Sequence, residues 1–171
     1  NTIASCVPEF NYLYDDWKRS KAIGAGEKGK YYISCIIPSV KSWQDFIVWS
    51  FVKVLNDYNV DGLYYDLAWP TPFTNPDHGG YLDEKGKPAR FWPIFGHREI
   101  VKRTYTAFRE RKPKTAILGH CSLNVIALPI MGFCDIAYDG EQYAHNLKRS
   151  YMDMLSLDTL RSELTCRQFG M

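Results

Sequence analysis

The run Val60-Asp61-Gly62-Leu63-Tyr64-Tyr65-Asp66 constrains this chain more than any other stretch. It is mostly apolar, too short for a helix, and ends abruptly on a carboxylate before Leu67-Ala68-Trp69-Pro70 turns into a proline-rich loop. A buried strand that carries an acid to its C-terminal end is how (β/α) barrels assemble their sites.

The flanking sequence repeats the alternation. Tyr31 to Pro38 is a continuous apolar strand closed by proline. Ser42 then reads as an N-cap, with Asp45 three residues on as an approximate capping box. Phe46, Ile47, Phe51, Val54, Leu55 and Tyr58 follow at helical spacing, and this helix ends near Asn59. Residues 67–95 read as a long irregular segment rich in proline and glycine, and its aromatics Trp69, Phe73, Tyr81 and Trp92 argue against disorder. A second helix over Gly96–Arg111 carries the apolar stripe Val101, Tyr105 and Phe108, with Ile100 and Thr104 flanking, and Lys112-Pro113 stops it. Thr115–His120 is a third strand and Asp135–Asp139 a fourth, with a short apolar helix through Pro129–Phe133 between them. A last helix is predicted near Asp158–Leu164, capped by Asp158.

Strands alternating with helices, each strand apolar along most of its length, predict an α/β fold with a parallel sheet and flanking helices. No glycine-rich phosphate loop follows a strand, which argues against a dinucleotide-binding sheet. Acids and a histidine at strand C-termini favour a (β/α)8 TIM barrel. Such a barrel typically takes about 250 residues, so 171 residues with four or five strands read as a partial barrel. Residues 1–171 are then part of one catalytic-type domain cut from a longer chain. The formal charge of +2 is interspersed, with no basic run for a phosphate backbone, so no nucleic acid partner is expected. No segment is apolar for long enough to span a bilayer. The five cysteines lack metal-type spacing; Cys35, Cys121 and Cys134 lie in or beside apolar runs and read as small buried hydrophobes.

Side chains alternate along a strand. In the second strand this puts Gly62, Tyr64 and Asp66 on one side, with Leu63 and Tyr65 toward the helices. In the fourth it puts Asp135, Ala137 and Asp139 on the inner side, joined by Glu141 if the extended chain continues, with Ile136 and Tyr138 toward the helices. Three neighbouring strand ends thus present Asp66, His120 and Asp139 or Glu141 to one mouth. Two carboxyls are what glycosidic cleavage needs: one protonates the leaving oxygen, the other attacks or stabilises the oxocarbenium-like centre, at separations of about 5–5.5 Å or 6.5–9.5 Å. Aromatics such as Trp69 stack on sugar faces.

Structural roles compete with each assignment. Asp139-Gly140 and Asp61-Gly62 are turn dipeptides, His120 reads as a core histidine bonded to backbone before it reads as catalytic, and the aromatic loop reads as a hydrophobic plug. Glu141 lacks such an explanation. Arg98, near a helix N-terminus where the dipole disfavours a cation, is a candidate partner for a carboxylate or a substrate oxygen. His78, Asp83 and His97 could join Asp66 and His120 as metal ligands, but no HxH or HExxH spacing supports this, and no metal or cofactor is assigned.

Together, Val60–Asp66, the loop Pro76–Gly86, the helix start Gly96-His97-Arg98-Glu99 and the end Cys134–Tyr143 resemble the catalytic barrel of large bacterial glycoside-hydrolase-like proteins. These are similar to glycoside hydrolase family 123, the β-N-acetylgalactosaminidases, and more distantly to α-galactosidase-type barrels. The resemblance spans about residues 5–171 and implies a (β/α)8 barrel in a longer secreted or periplasmic chain, with β-sandwich domains beside it. By analogy with α-galactosidase-type barrels, Asp66 falls on the nucleophile, and Asp139 or Glu141 on the acid/base. The adjacent Asp-Glu pair of the N-acetylgalactosaminidases is missing, because Leu67 follows Asp66 and Gly140 splits Asp139 from Glu141. The expectation is therefore a glycoside hydrolase with Asp66, Glu141 and Asp139 as catalytic candidates. Tyr64, Trp69, His78, Arg98, His120 and Tyr143 would bind a carbohydrate. The alternatives are a non-catalytic carbohydrate-binding barrel and a metal-dependent hydrolase.

Overall fold

The computed structural model describes residues 2–4, 7–19, 23–25, 31–66, 68, 70–74, 80–121, 127–138 and 149–158. The N-terminal part comprises β1 (Thr2–Ala4), α1 (Pro8–Trp17), β2 (Ile23–Ala25) and β3 (Tyr31–Cys35). Here the architecture departs from expectation. β3 is the middle strand of an antiparallel sheet ordered β1-β3-β2, not a member of the parallel sheet. Its apolar sequence instead serves the core beyond the ladder, where Ile36 and Ile37 are fully buried. Helix α1 was not foreseen, although Phe10, Leu13, Tyr14 and Trp17 fall at helical spacing behind Pro8 at the N-terminal turn. Trp17 anchors it. The indole Nε1 donates to Ser42 Oγ at 2.9 Å, and the ring lies 5.2 Å from those of both Trp43 and Phe46.

Helix α2 (Lys41–Tyr58) follows. It begins after Val40 with no side-chain cap, so Ser42 is not the N-cap: it lies in the first turn and accepts the Trp17 hydrogen bond instead. Asp45 does not close a capping box but pairs with Lys41 and, at 2.7 Å, with Arg103. At the other end Asn59 adopts the left-handed conformation (φ 50°) and donates its N–H to Leu55 O, as a C-terminal cap does.

Three parallel strands follow in chain order, β4 (Gly62–Tyr65), β7 (Ala116–His120) and β8 (Ile136–Tyr138), with sheet order β4-β7-β8. Between β4 and β7 run the hairpin β5 (Tyr81–Leu82) with β6 (Pro88–Ala89), and helix α3 (Ile94–Arg111). The segment read as irregular is thus partly ordered. Asp83 Oδ1 accepts from the N–H groups of Lys85 and Lys87 and shapes the hairpin turn, with Gly86 at φ 70°. Phe73 bridges to Phe91, and their rings meet nearly perpendicular at 4.9 Å. Helix α4 (Leu128–Met131) lies between β7 and β8, and α5 (Tyr151–Met154), absent from the sequence reading, follows them. The helix expected over Asp158–Leu164 falls almost entirely outside the described residues.

The core lies between this sheet and the helices. Leu63, Tyr65, Ile117 and Ala137 meet Leu55 of α2, Ile100, Val101 and Phe108 of α3, and Ile130 and Met131 of α4. Tyr65 donates to Thr104 Oγ1 at 2.7 Å, and Thr104 Oγ1 in turn donates to Ile100 O at 2.9 Å. Burial pushes the Tyr65 phenol far above its ordinary value and the Cys134 thiol up to about 12, so neither ionises near neutrality. Two clamps tie α3 to the sheet. Arg109 pairs with Asp135, whose other oxygen accepts from Ile117 N–H at 2.8 Å. Lys112 meets Asp61 at 2.6 Å and also the carbonyls of Asn59 and Val60. Close backbone approach matters at Gly96, where a Cβ would come within 2.7 Å of the Ser39 backbone and push α3 off the turn before α2.

His97 sits one residue further, fully buried, its Nδ1 without a hydrogen-bond partner among the described residues. Burial lowers its pKa to about 3. The unfolded chain takes up that proton near pH 6.5 and the folded chain does not, so stability is full above about 6.5 and falls as the pH drops toward about 3, by up to about 1.4 kcal/mol per pH unit. Urea unfolding at about pH 7 and 5.5 should register this slope, and His97→Phe should flatten it. Asp135→Ala removes the carboxylate partner of Arg109 and strands the Ile117 N–H of β7, and should cost about 1–3 kcal/mol by the same measurement. Removal of Asp57 from its exposed pair with Lys53 should leave the unfolding midpoint unchanged.

Candidate functional site

The pairing of β4 with β7 sets Tyr64 beside Leu118 and Tyr65 beside Gly119, and that of β7 with β8 sets His120 beside Tyr138. Alternation then separates two faces. Leu63, Tyr65, Ile117 and Ala137 belong to the helix side. Tyr64, Leu118, His120, Ile136 and Tyr138 share the other. The faces of β4 are as the sequence predicts. Those of β8 are inverted. Asp135 turns to Arg109 of α3 and Ala137 packs on the core, while Tyr138 stands on the open side. The physical reason is that Asp135 precedes the strand and is held by the Arg109 clamp, which fixes the phase of the three residues after it.

At the C-terminal edge of the open face, Tyr64, Asp66, His120 and Tyr138 come together. His120 is only 5% exposed, covered by the Tyr64 ring (5.8 Å, nearly parallel at 25°) and the steeply inclined Tyr138 ring (5.2 Å, 66°). Its Nδ1 lies 2.7 Å from the Tyr64 hydroxyl and 3.0 Å from Asp66 Oδ1. The Asp66 side chain is 69% exposed, and Tyr64 and Tyr138 are about half exposed, at 50% and 44%. The site therefore offers a solvent-facing carboxylate, an oriented imidazole beneath it and two phenol rings around them. Cys121 fastens the floor: its N–H and thiol both reach Tyr138 O, at 2.8 and 3.3 Å. Tyr138 is the contributor that the sequence reading missed. Its signal was positional, since it closes the strand next to the one ending on His120.

Other candidates lie elsewhere. The Arg98 guanidinium stacks over the Phe133 ring at 5.1 Å and, among the described residues, makes no ion pair with Asp66. Asp83 serves the hairpin turn and His97 is buried in the helix layer, and among the described residues no cluster of three or more His, Cys, Asp or Glu could hold a metal ion. Trp69, His78, Asp139, Glu141 and Tyr143 fall outside the described residues. An open groove of about 520 Å³ runs between the start of α1 and the outer side of α2, lined by Trp43, Phe46, Trp49, Val54 and Tyr58, and includes no member of the Asp66 cluster. No helix among the described residues is long and apolar enough to cross a membrane. The sequence matches no family profile and no curated protein.

If the exposed carboxylate serves the site rather than the fold, Asp66→Ala should leave the urea midpoint where it is. His120→Ala removes a buried ring from between two tyrosines and should cost about 1–3 kcal/mol.

Proposed function

We propose that this chain forms part of a (β/α)8 barrel that hydrolyses glycosidic bonds, with residues 1–171 belonging to one catalytic domain of a longer secreted or periplasmic protein. The observation that carries this reading is Asp66: an exposed carboxylate at the C-terminal end of a parallel strand, oriented by His120, whose ring meets those of two half-exposed tyrosines. The barrel itself is supported by the sheet order, which follows chain order, and by α2, α3 and α4 packing on one face. A doubly wound sheet reverses its strand order and takes helices on both faces. In a barrel the Tyr64–Leu118–Tyr138 face would line the interior.

In this reading Asp66 is the nucleophile or the stabiliser of positive charge at the anomeric carbon. Glu141, with Asp139 as the alternate, supplies the proton to the leaving oxygen and then activates water. Tyr64 and Tyr138 give the sugar ring apolar faces to lie against, and His120 keeps Asp66 aimed. The half-exposed tyrosines equally suit a second reading, a barrel that binds carbohydrate without cleaving it.

The two readings separate on aryl glycosides assayed with the longest natural chain. Hydrolysis should fall at least about 10³-fold in Asp66→Asn and in Glu141→Gln, as expected for loss of a nucleophile or a general acid. Sugar binding that survives in a wild-type protein without turnover supports the binding barrel. Turnover that survives both substitutions would sink the assignment of Asp66 and Glu141.

A further inference from the structure

Both crossovers of the parallel sheet leave from the edge that carries Asp66. β4 hands the chain to the β5–β6 hairpin and α3, and β7 hands it to α4. The heads of α3 and α4 therefore lie at the same end of the sheet as the site. This end holds large side chains that the core does not use. Tyr81 on β5, Trp92 just before α3, Phe95 in its first turn and Leu128 at the head of α4 are all more than half exposed.

The backbone under Trp92 is fixed. Phe91 before it exchanges both backbone hydrogen bonds with Phe73, at 3.0 and 3.1 Å, and Pro93 after it is buried. The carbonyl of Trp92 itself accepts from Ile94 N–H at 2.8 Å. An indole held this way in water forgoes the burial that would stabilise so large a ring. The surroundings select its partner. Between Tyr81 and Trp92 the chain carries exposed charges at Glu84, Lys85 and Arg90. A protein partner is met by a contiguous apolar patch, whereas rings standing among charges match a sugar chain, with apolar C–H faces and hydroxyl edges. Among the described residues β4 and β8 are the outer strands, so strands completing a barrel would join those edges and leave this end open.

We propose that Trp92 and Phe95 form a distal platform on the lip of the Asp66 mouth, and that the carbohydrate taken here is a chain of several sugars rather than a single one. The class of ligand rests on the carbohydrate reading above; the length of the ligand is what this platform adds. One sugar lies at Asp66, and the units beyond it run along the β4–α3 crossover. Contacts to such remote units strengthen binding without touching the reacting atoms.

The longest natural chain, assayed on aryl monoglycosides and on an oligosaccharide ending in the same sugar, tests this beside a printed array of defined oligosaccharides and their constituent monosaccharides. Trp92→Ala and Phe95→Ala should each lower array binding and kcat/KM on the oligosaccharide about 5–10-fold more than they lower the aryl monoglycoside reaction. Trp92→Tyr keeps a ring and should recover most of the loss. Both side chains are exposed, so the variants should keep the wild-type urea midpoint. An equal loss on long and short ligands, or none on the long one, overturns the proposal, as does a wild-type protein that binds no oligosaccharide on the array. Array binding that depends on Trp92 in a protein without turnover defeats the hydrolase reading alone, and turnover indifferent to both rings defeats this proposal alone.

Discussion

The carbonyl oxygen of Ala116 lies so close to Gly62 that an added Cβ would sit 2.1 Å from it. No other residue could occupy that position without parting β4 from β7. Every contact at the open edge depends on this closeness, because the register it permits is what brings Tyr64 level with Leu118 and leaves Asp66 next to His120. A slip of one residue would turn Tyr64 and Asp66 into the helix layer and bring Leu63 and Tyr65 out to solvent. The buried Tyr65–Thr104–Ile100 relay opposes such a slip from the other side, since a phenol moved out of α3's reach would leave Thr104 unmatched in the core. Register and site are thus secured by groups that never face the site.

What could be read in the sequence, and what could not, follows from how local each determinant is. The alternation of β4 was legible because Leu63 on one side and Asp66 on the other differ sharply in their cost of burial. β8 was not, because Ala137 and Tyr138 both tolerate partial exposure, and the phase is set by Arg109 from another element. Ser42 met every local criterion for an N-cap, yet its hydroxyl serves Trp17, a residue of the preceding helix. β3 has the composition of a central parallel strand, and its antiparallel neighbours β1 and β2 come from a stretch with little apolar pattern of its own. The helices α2 and α3 were found within a residue or two, since their periodicity is long enough to outweigh such contacts.

The open face has a distinct physical character. Parallel sheets are ordinarily covered on both sides, and among the described residues this one carries α2, α3 and α4 on one side and no helix on the other. That other side is not simply apolar. Its side chains at the C-terminal edge are aromatic rings with polar tips, and such groups tolerate both water and an organic surface. The buried imidazole beneath them gives the edge rigidity that exposed tyrosines alone would lack, and Cys121 binds that layer to β8 through the Tyr138 carbonyl.

The pairing of Gly62 with Ala116 also bears on the order in which the molecule assembles. Their ladder closes over the whole hairpin insertion and α3, so a long loop must lose its freedom before the first interstrand hydrogen bond forms. Helices α2 and α3 need only neighbours in sequence and can form far sooner. Until the ladder closes, Tyr65 and Ile117 have no sheet to belong to, and the helices hold the greater part of the structure that exists. Lys112 stands at this juncture: reaching from the end of α3 to Asn59, Val60 and Asp61, it ties the start of β4 to the segment that leads into β7.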